Sequence, residues 1–333
     1  NTLDVTARRM VEEKQWKEAE GALRQALVLD PNNEKSLLHL AWMKLEHWAA
    51  RPEEAGTKEL EEAEAACRRV LEKNPTDVTA LGYQGVALRR LERFPEAIET
   101  FERALRLEPK NYVHWTNIGA LHLMMHDLEK AEEGLTRSAE LAGPAKDDPY
   151  RATAWRNLAA YELLRHKPTA LDHLRTAIEC HEHDALSWAL QAFARLEFSA
   201  SAGVEEAIDD AKHADRLANA HSARAKRILA LAYLRGGHWE HAVTEASAAI
   251  ALKDLPTVNH LVIAAAEAKR GGVTAAKEAL AAAQATWPEQ LRKPAGFAAS
   301  VERGELWIES ADLLLQLRDE AEAVIGEARL ATP

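Results

Sequence analysis

Pairs of histidines are the feature of this sequence closest to a metal-binding pattern. His122 and His126 lie four residues apart, a spacing that puts two imidazoles on one face of a helix, where they can share a metal ion. A zinc-protease helix needs a glutamate directly after the first histidine, but Leu123 stands there, and no third ligand is evident. We therefore expect polar surface residues here and no metal.

The other histidine groups fall in predicted turns. His181 and His183 flank Glu182, and His238 and His241 lie on either side of an aromatic residue. Histidines in solvated turns lack the fixed geometry that a metal site requires. We interpret both groups as solvated loops.

Carboxylates are abundant, but their pattern does not predict acid–base catalysis. Such pairs need burial or a cleft to shift their pKa values, whereas runs such as Glu61-Glu62 lie on the outer face of a predicted helix. Gly236-Gly237 lies in a predicted turn without the other residues of a phosphate loop. Neither a nucleophile elbow nor a Ser/His/Asp order is visible. We predict that the chain is not an enzyme and holds no cofactor.

Composition excludes two classes of partner. The 333 residues carry a formal net charge of −11, whereas a general nucleic-acid binder needs a basic stripe. No apolar run approaches the roughly 18 residues of a membrane span, and no signal peptide is visible. We expect neither a nucleic acid nor a membrane as partner.

The two cysteines indicate a reducing compartment. Cys67 and Cys180 lie too far apart in the predicted organisation to pair, so we expect two small buried hydrophobic residues. Unpaired thiols favour the cytoplasm. The sequence begins at Asn1 rather than Met, which suggests a domain of a longer protein or a processed chain.

A repeat of 34 residues must position any functional side chain. Two consecutive units, 78–111 and 112–145, carry small residues at positions 8, 20 and 27 and larger residues at positions 4, 7, 11, 17 and 24. The small residues let two antiparallel helices approach closely, and the large ones fill the space between helix pairs. The small positions are Gly85, Ala97 and Ala104 in the first unit and Gly119, Ala131 and Ser138 in the second.

This pattern resembles the tetratricopeptide repeat. The resemblance implies an all-α fold, a right-handed α-solenoid of about eight helix pairs that covers residues 1–285. We place the repeats at about 1–33, 34–77, 78–111, 112–145, 151–184, 185–219, 220–256 and 257–286. The second repeat is ten residues longer than the period, and its first helix continues through Trp42 and Trp48. We expect this extension to pack on the first repeat; a ledge for a partner is the alternative.

The period stops at Trp287. We assign residues 287–333 to a loop followed by a C-terminal capping helix at about 305–330. The closing stretch also resembles the ends of repeat tails on large bacterial multidomain proteins, including serine/threonine kinases, although no kinase motif is present.

The resemblance also implies a binding groove. In tetratricopeptide folds, positions 2, 5, 9, 12 and 13 of the first helix in each repeat line a concave surface. Here they include large apolar residues of the types found at interaction hot spots. The alternative is that a neighbouring helix or the chain's own terminal helix covers them. The candidate groove residues are Leu38, Trp42, Val86, Arg89, Arg90, Met124, Arg156, Leu163, Phe193, Arg224, Arg227 and Arg235.

Two charge patterns restrict the ligand. The chaperone-tail subclass of the family grips a terminal carboxylate with a lysine at position 5 and an asparagine at position 9, but Gly82 and Val86 stand there. We therefore expect no chaperone C-terminus. The group Arg224, Arg227 and Arg235 either holds an acidic peptide or is solvated and paired with nearby carboxylates.

The sequence thus predicts a non-catalytic protein-protein interaction scaffold that holds a peptide or helix of a partner protein in its groove. The alternative is a regulatory or substrate-recruiting segment of a larger kinase or protease, which would make the partner another domain of the same polypeptide. A homo-oligomer, in which copies stack through their ends or grooves, is the third hypothesis.

Overall fold

The structure, a computed structural model, describes residues 2–50, 52–125, 127–199, 203–252, 256–286, 317, 319 and 321–323. Within these ranges the regular elements are α-helices in a repeat arrangement, which confirms the predicted all-α class. They are α1 (Thr2–Glu12), α2 (Trp16–Leu29), α3 (Glu34–Ala50), α4 (Pro52–Lys73), α5 (Val78–Arg90), α6 (Phe94–Leu107), α7 (Tyr112–Met124), α8 (Leu128–Ala142), α9 (Pro149–Leu164), α10 (Ala170–Cys180), α11 (Ala185–Phe198), α12 (Val204–Leu217), α13 (Ala223–Arg235), α14 (Trp239–Ala251), α15 (Pro256–Lys269) and α16 (Val273–Thr286).

Short connections join the helices into pairs. α3 packs on α4, α5 on α6, and the same holds for α9–α10, α11–α12, α13–α14 and α15–α16. We call the first helix of each pair helix A. Successive A helices also contact one another, α1 with α3 and α3 with α5, and likewise along α9, α11, α13 and α15. Each repeat therefore buries its apolar face on its neighbours.

Polar residues begin several of the A helices. The Asp77 carboxylate accepts a hydrogen bond from the backbone N–H of Ala80 at 2.8 Å, and Asp184 caps α11 in the same way through Leu186 N–H at 3.2 Å. These side chains satisfy N–H groups that have no partner inside the helix. The turn before each of these helices is thus encoded locally.

A glycine permits the close packing of α5 and α6. A Cβ atom at Gly85 would lie 2.6 Å from Cζ of Phe101, whose ring is 1% exposed. Only glycine leaves room for a ring in this position. The small residue at position 8 therefore has the role that the repeat pattern predicts for it.

The described helices divide into two compact units. The first ends at Leu121 and the second begins at His122, so the division falls inside α7. The first unit has a core cluster from α1, α2 and α3 and a larger one from α3, α4 and α5. The largest cluster of the second unit runs through α9 to α16.

Part of α3 packs on the first repeat, whereas Trp48 packs on the cluster shared by α3, α4 and α5. Trp42 contacts the cluster that contains Ala7 and Leu23, and the His47 ring centre lies 5.2 Å from that of Trp16. The buried Lys44 ammonium ion lies 3.0 Å from a carboxylate oxygen of Glu20 on α2. Its charge is also offset by two glutamates of α4, Glu59 at 3.4 Å and Glu62 at 3.3 Å.

Little of the C-terminal segment can be compared with its prediction. The loop predicted from residue 287 and most of the capping helix at 305–330 lie outside the described residues. Leu317 and Ala321 are described and fully buried, and Ala321 shares a cluster with Ala264 of α15 and Ala279 of α16. The bounds of this segment stay a prediction.

Candidate functional site

Five candidate residues lie on neighbouring A helices of the first unit. Leu38 and Trp42 are one turn apart on α3, and Val86 lies one turn before Arg89 and Arg90 on α5. All five are partly buried, so each keeps part of its side chain exposed. With Trp48 of α3 they form what we call the α3–α5 surface.

Apolar side chains of the α3–α5 surface rest on the core. Leu38, Trp48 and Val86 pack against the cluster shared by α3, α4 and α5, and Trp42 packs against the cluster of the first repeat. Core contacts hold these side chains in place while they stay accessible. Fixed, partly exposed apolar groups of this kind are the usual anchors of an interaction site.

Arg90 is held by the end of α3. Its guanidinium carbon lies 4.8 Å from the centre of the Trp48 ring, a cation–π contact, and its Nη1 donates a 2.6 Å hydrogen bond to the carbonyl oxygen of Leu45. Burial lowers the pKa of Arg90, and the charge of Glu46 opposes that shift. Sequence reasoning did not include Trp48 in this site, although its place beyond the usual helix end was a signal.

Arg89 has no such partner. Its Nε atom is buried without a hydrogen-bond acceptor, and its guanidinium makes no ion pair in the part of the chain that the structure describes. Burial lowers the pKa of Arg89 to about 10, and the adjacent Arg90 charge acts in the same direction. The C-terminal end of α5, where helix carbonyls favour a cation, offsets only part of this cost.

Arg156 is committed to a structural ion pair in the second unit. Its Nη1 donates to the carboxylate of Asp184, the residue that caps α11, and its Nη2 donates to Thr153 Oγ1 at 3.2 Å. The guanidinium thus joins α9 to the start of the next A helix. Its charge is therefore already matched by a carboxylate of the same chain.

Two apolar candidates of the second unit lie in its core. Leu163 is 5% exposed and Phe193 is 4% exposed, and both belong to the largest cluster. α11 contacts both α9 and α13, so its groove-side positions are covered by neighbouring A helices. Both residues therefore fit the alternative that neighbouring helices cover them. Met124, at the end of α7, is partly buried.

The three arginines of α13 do not form one anion site. Arg227 is 4% exposed, Arg224 is partly buried and Arg235 is exposed. Each interacts with another part of the chain. Arg224 and Arg235 are eleven residues apart, which is about 16 Å along a helix. A single carboxylate cannot contact both, so the two ends of α13 cannot bind one acidic side chain together.

The histidines lead to no metal site that can be described. His122 lies 3.6 Å from the Asp127 carboxylate, while His126 lies outside the described residues. Across the ranges given above, no group of three histidine, cysteine, aspartate or glutamate residues is placed to hold a metal. Likewise, no helix in those ranges has both the length and the apolar character needed to cross a bilayer.

One buried histidine was missed by sequence reasoning. His114 of α7 is 6% exposed, and neither ring nitrogen has a hydrogen-bond partner in the described residues. Its ring centre lies 5.8 Å from that of Phe101. A Cβ atom at Gly82 would lie 3.3 Å from Cε1 of the His114 ring. The only sequence signal was Gly82, which leaves position 5 of the repeat 78–111 without a side chain.

Paired helices in a repeat arrangement, with small residues where the helices meet, define the α-solenoid class of tetratricopeptide type. The family model described as tetratricopeptide repeat matches residues 78–111, and a second model of the same description matches residues 100–133. The chain therefore contains tetratricopeptide repeats. Such repeats generally mediate protein–protein interaction and are generally non-catalytic.

Two curated relatives are far longer than this chain. The general transcriptional corepressor ssn6 of Schizosaccharomyces pombe is 32% identical over 111 residues, which are 33% of this chain and 10% of ssn6. The general transcriptional corepressor trfA of Dictyostelium discoideum is 36% identical over 73 residues, 22% of this chain and 5% of trfA. The similarity is thus confined to a small part of each corepressor.

Solved structures share the fold. A tetratricopeptide repeat protein from Parabacteroides merdae has a TM-score of 0.55 at 15% identity, over 79% of this chain and 96% of that one. The Cut9–Hcn1 hetero-tetramer of the APC/C also gives 0.55, at 14% identity, over 92% of this chain and 56% of that one. At such identities the likeness concerns the fold alone.

Proposed function

We propose that this chain is a non-catalytic scaffold that binds a peptide or helix of a partner protein on the α3–α5 surface. One observation carries the proposal: Leu38, Trp42 and Val86 rest on core clusters yet stay partly exposed, beside two arginines. An apolar strip with a charged end can select one orientation of a bound segment. The proposed compartment is the cytoplasm, because Cys67 and Cys180 are buried free thiols.

The test uses random linear peptides displayed on phage and selected on the immobilised chain. Truncation of an anchor tryptophan typically weakens binding strongly, so Trp42→Ala should lower the affinity of selected peptides at least about tenfold. Trp115→Ala is the matched control, because Trp115 is a partly buried tryptophan of the same unit outside the α3–α5 surface. Circular dichroism establishes that both variants fold.

Two outcomes would contradict the proposal. Either no peptide is enriched on the wild-type chain, or the enriched peptides bind Trp42→Ala as tightly as wild type. A loss seen equally in both tryptophan variants would also contradict it, because such a loss reflects general destabilisation of the first unit.

The alternative proposal is a recruiting segment of a larger protein. The extent of the similarity favours a longer chain, since the matched residues are only 10% and 5% of the two curated relatives. Those relatives are named as transcriptional corepressors rather than as kinases or proteases. The reading frame on both sides of this sequence tests the alternative: a catalytic domain in the same frame would support it, and stop codons close to both ends would rule it out.

A further inference from the structure

Resting on the proposed function, the inference concerns the chemistry of the partner. We propose that the α3–α5 surface selects a peptide segment with an aspartate or glutamate side chain next to apolar residues, and that this carboxylate binds the guanidinium of Arg89.

The first argument is the missing partner of Arg89. Other arginines near helix contacts are matched within the chain: Arg156 with Asp184, and Arg195 with Asp210 at 2.7 Å. Arg89 has neither an ion pair nor a hydrogen bond among the described residues, and its Nε is out of contact with water. A buried Nε donor without an acceptor is costly, and a bound carboxylate removes that cost.

The second argument is the local positive charge. The chain as a whole is acidic, with 53 acidic against 42 basic residues, but Arg89 and Arg90 are adjacent on α5. Arg90 is fixed against Trp48 and the Leu45 carbonyl, so its charge stays beside Arg89 and raises the local potential. Glu46 is the acidic group whose charge acts on Arg90. The arginine pair is thus positioned to attract a carboxylate.

The third argument is the apolar surroundings. Val86 lies one turn before both arginines, on the same side of α5, and Leu38 and Trp42 lie on the adjoining helix α3. Apolar neighbours limit the access of water and strengthen a guanidinium–carboxylate contact, which has two parallel hydrogen bonds in its best geometry. The expected ligand therefore combines one acidic side chain with apolar ones.

The test compares matched charge variants with the same displayed peptides. Arg89→Gln removes one of the two cations of the α3–α5 surface, and Arg106→Gln removes an exposed cation at the end of α6. Wild type should enrich peptides with an acidic residue beside apolar ones. Their affinity, measured by fluorescence polarisation, should fall about tenfold in Arg89→Gln and stay unchanged in Arg106→Gln.

A double-mutant cycle assigns the contact. Replacing the peptide's acid by its amide should weaken binding to wild type about tenfold, with little further effect in Arg89→Gln. Added salt should lower the affinity of the acidic peptide more than that of its amide version. The acid-to-amide comparison and the salt series on the wild-type chain decide whether the surface binds a carboxylate. Arg89→Met, which keeps the aliphatic stem, replaces Arg89→Gln in the cycle if that variant does not fold.

The binding data distinguish a failure of this inference from a failure of the proposed function. Peptides that lose affinity for Trp42→Ala but bind Arg89→Gln like wild type, or that carry no shared acidic residue, would overturn the inference and leave the proposed function standing. Peptides that bind Trp42→Ala like wild type would overturn both.

Discussion

Arg89 is a group that the fold tolerates at a cost. Its desolvated Nε has no acceptor among the described residues, and the neighbouring Arg90 charge disfavours it further. Residues kept for binding often destabilise the free protein, because their compensation arrives with the ligand. The same side chain should therefore affect binding and stability in opposite directions.

Replacement of Arg89 should stabilise the free chain. Arg89→Met keeps the aliphatic contacts of the stem and removes the charge. We therefore expect the free energy of unfolding to rise by on the order of 1 kcal/mol. Thermal unfolding followed by circular dichroism measures this, with Arg106→Met as the exposed control that should leave the midpoint unchanged. A lower midpoint for Arg89→Met would mean that the guanidinium has a structural role.

His114 should make stability depend on pH. Burial lowers the pKa of His114 below its ordinary 6.5, and the Glu108 charge opposes this only in part. Below about pH 6.5 the unfolded chain then binds more protons than the folded one, so stability is complete above that pH and falls as the pH decreases. Urea unfolding at a series of pH values should show this loss between neutral and acidic pH.

A variant that lacks only this histidine isolates that effect. His114→Phe cannot titrate, so its stability should fall less steeply with decreasing pH than that of wild type. Some slope should remain, because burial also lowers the pKa of His260 in the second unit. An unchanged slope in His114→Phe would assign the pH dependence to other groups.

At the scale of elements, the repeat pattern specified most of what the structure shows. Small residues at fixed positions, such as Gly85, predict where two helices meet, because steric fit is local and periodic. What the pattern could not show is which polar groups meet between helices. The Arg156–Asp184 ion pair and the burial of Phe193 depend on neighbouring repeats, whose contacts are not encoded within one helix.

Two glycines should respond in opposite ways to the same substitution. Gly85→Ala would place a methyl group 2.6 Å from the buried Phe101 ring, so overpacking should cost about 1–3 kcal/mol. Gly21→Ala on α2 meets nothing within 4 Å, so the better helix propensity of alanine should stabilise by up to about 1 kcal/mol. Urea unfolding of both variants measures the sign of each change in stability. A Gly85→Ala variant as stable as wild type would refute the steric argument.

At the scale of the whole molecule, contacts are made mainly between successive helices. The described helices separate into a unit that ends at Leu121 and a unit that begins at His122. A repeat pattern gives no sign of such a division, because each repeat obeys the same local rule. In a structure of this kind, stability is close to a sum of repeat and neighbour terms.

The destabilising effect of a core substitution in one unit should therefore be confined to the helices of that unit. Phe193 is 4% exposed within the cluster of α9 to α16, so Phe193→Ala should cost about 3–5 kcal/mol and speed amide exchange in those helices. Exchange in α1 to α6 should stay at the wild-type rate. Hydrogen exchange followed by mass spectrometry measures both sets of helices in one experiment, and Gly85→Ala provides the reciprocal lesion in the first unit. Faster exchange throughout the chain in either variant would show that the two units unfold together, because only cooperative unfolding carries a local loss of packing across the whole molecule.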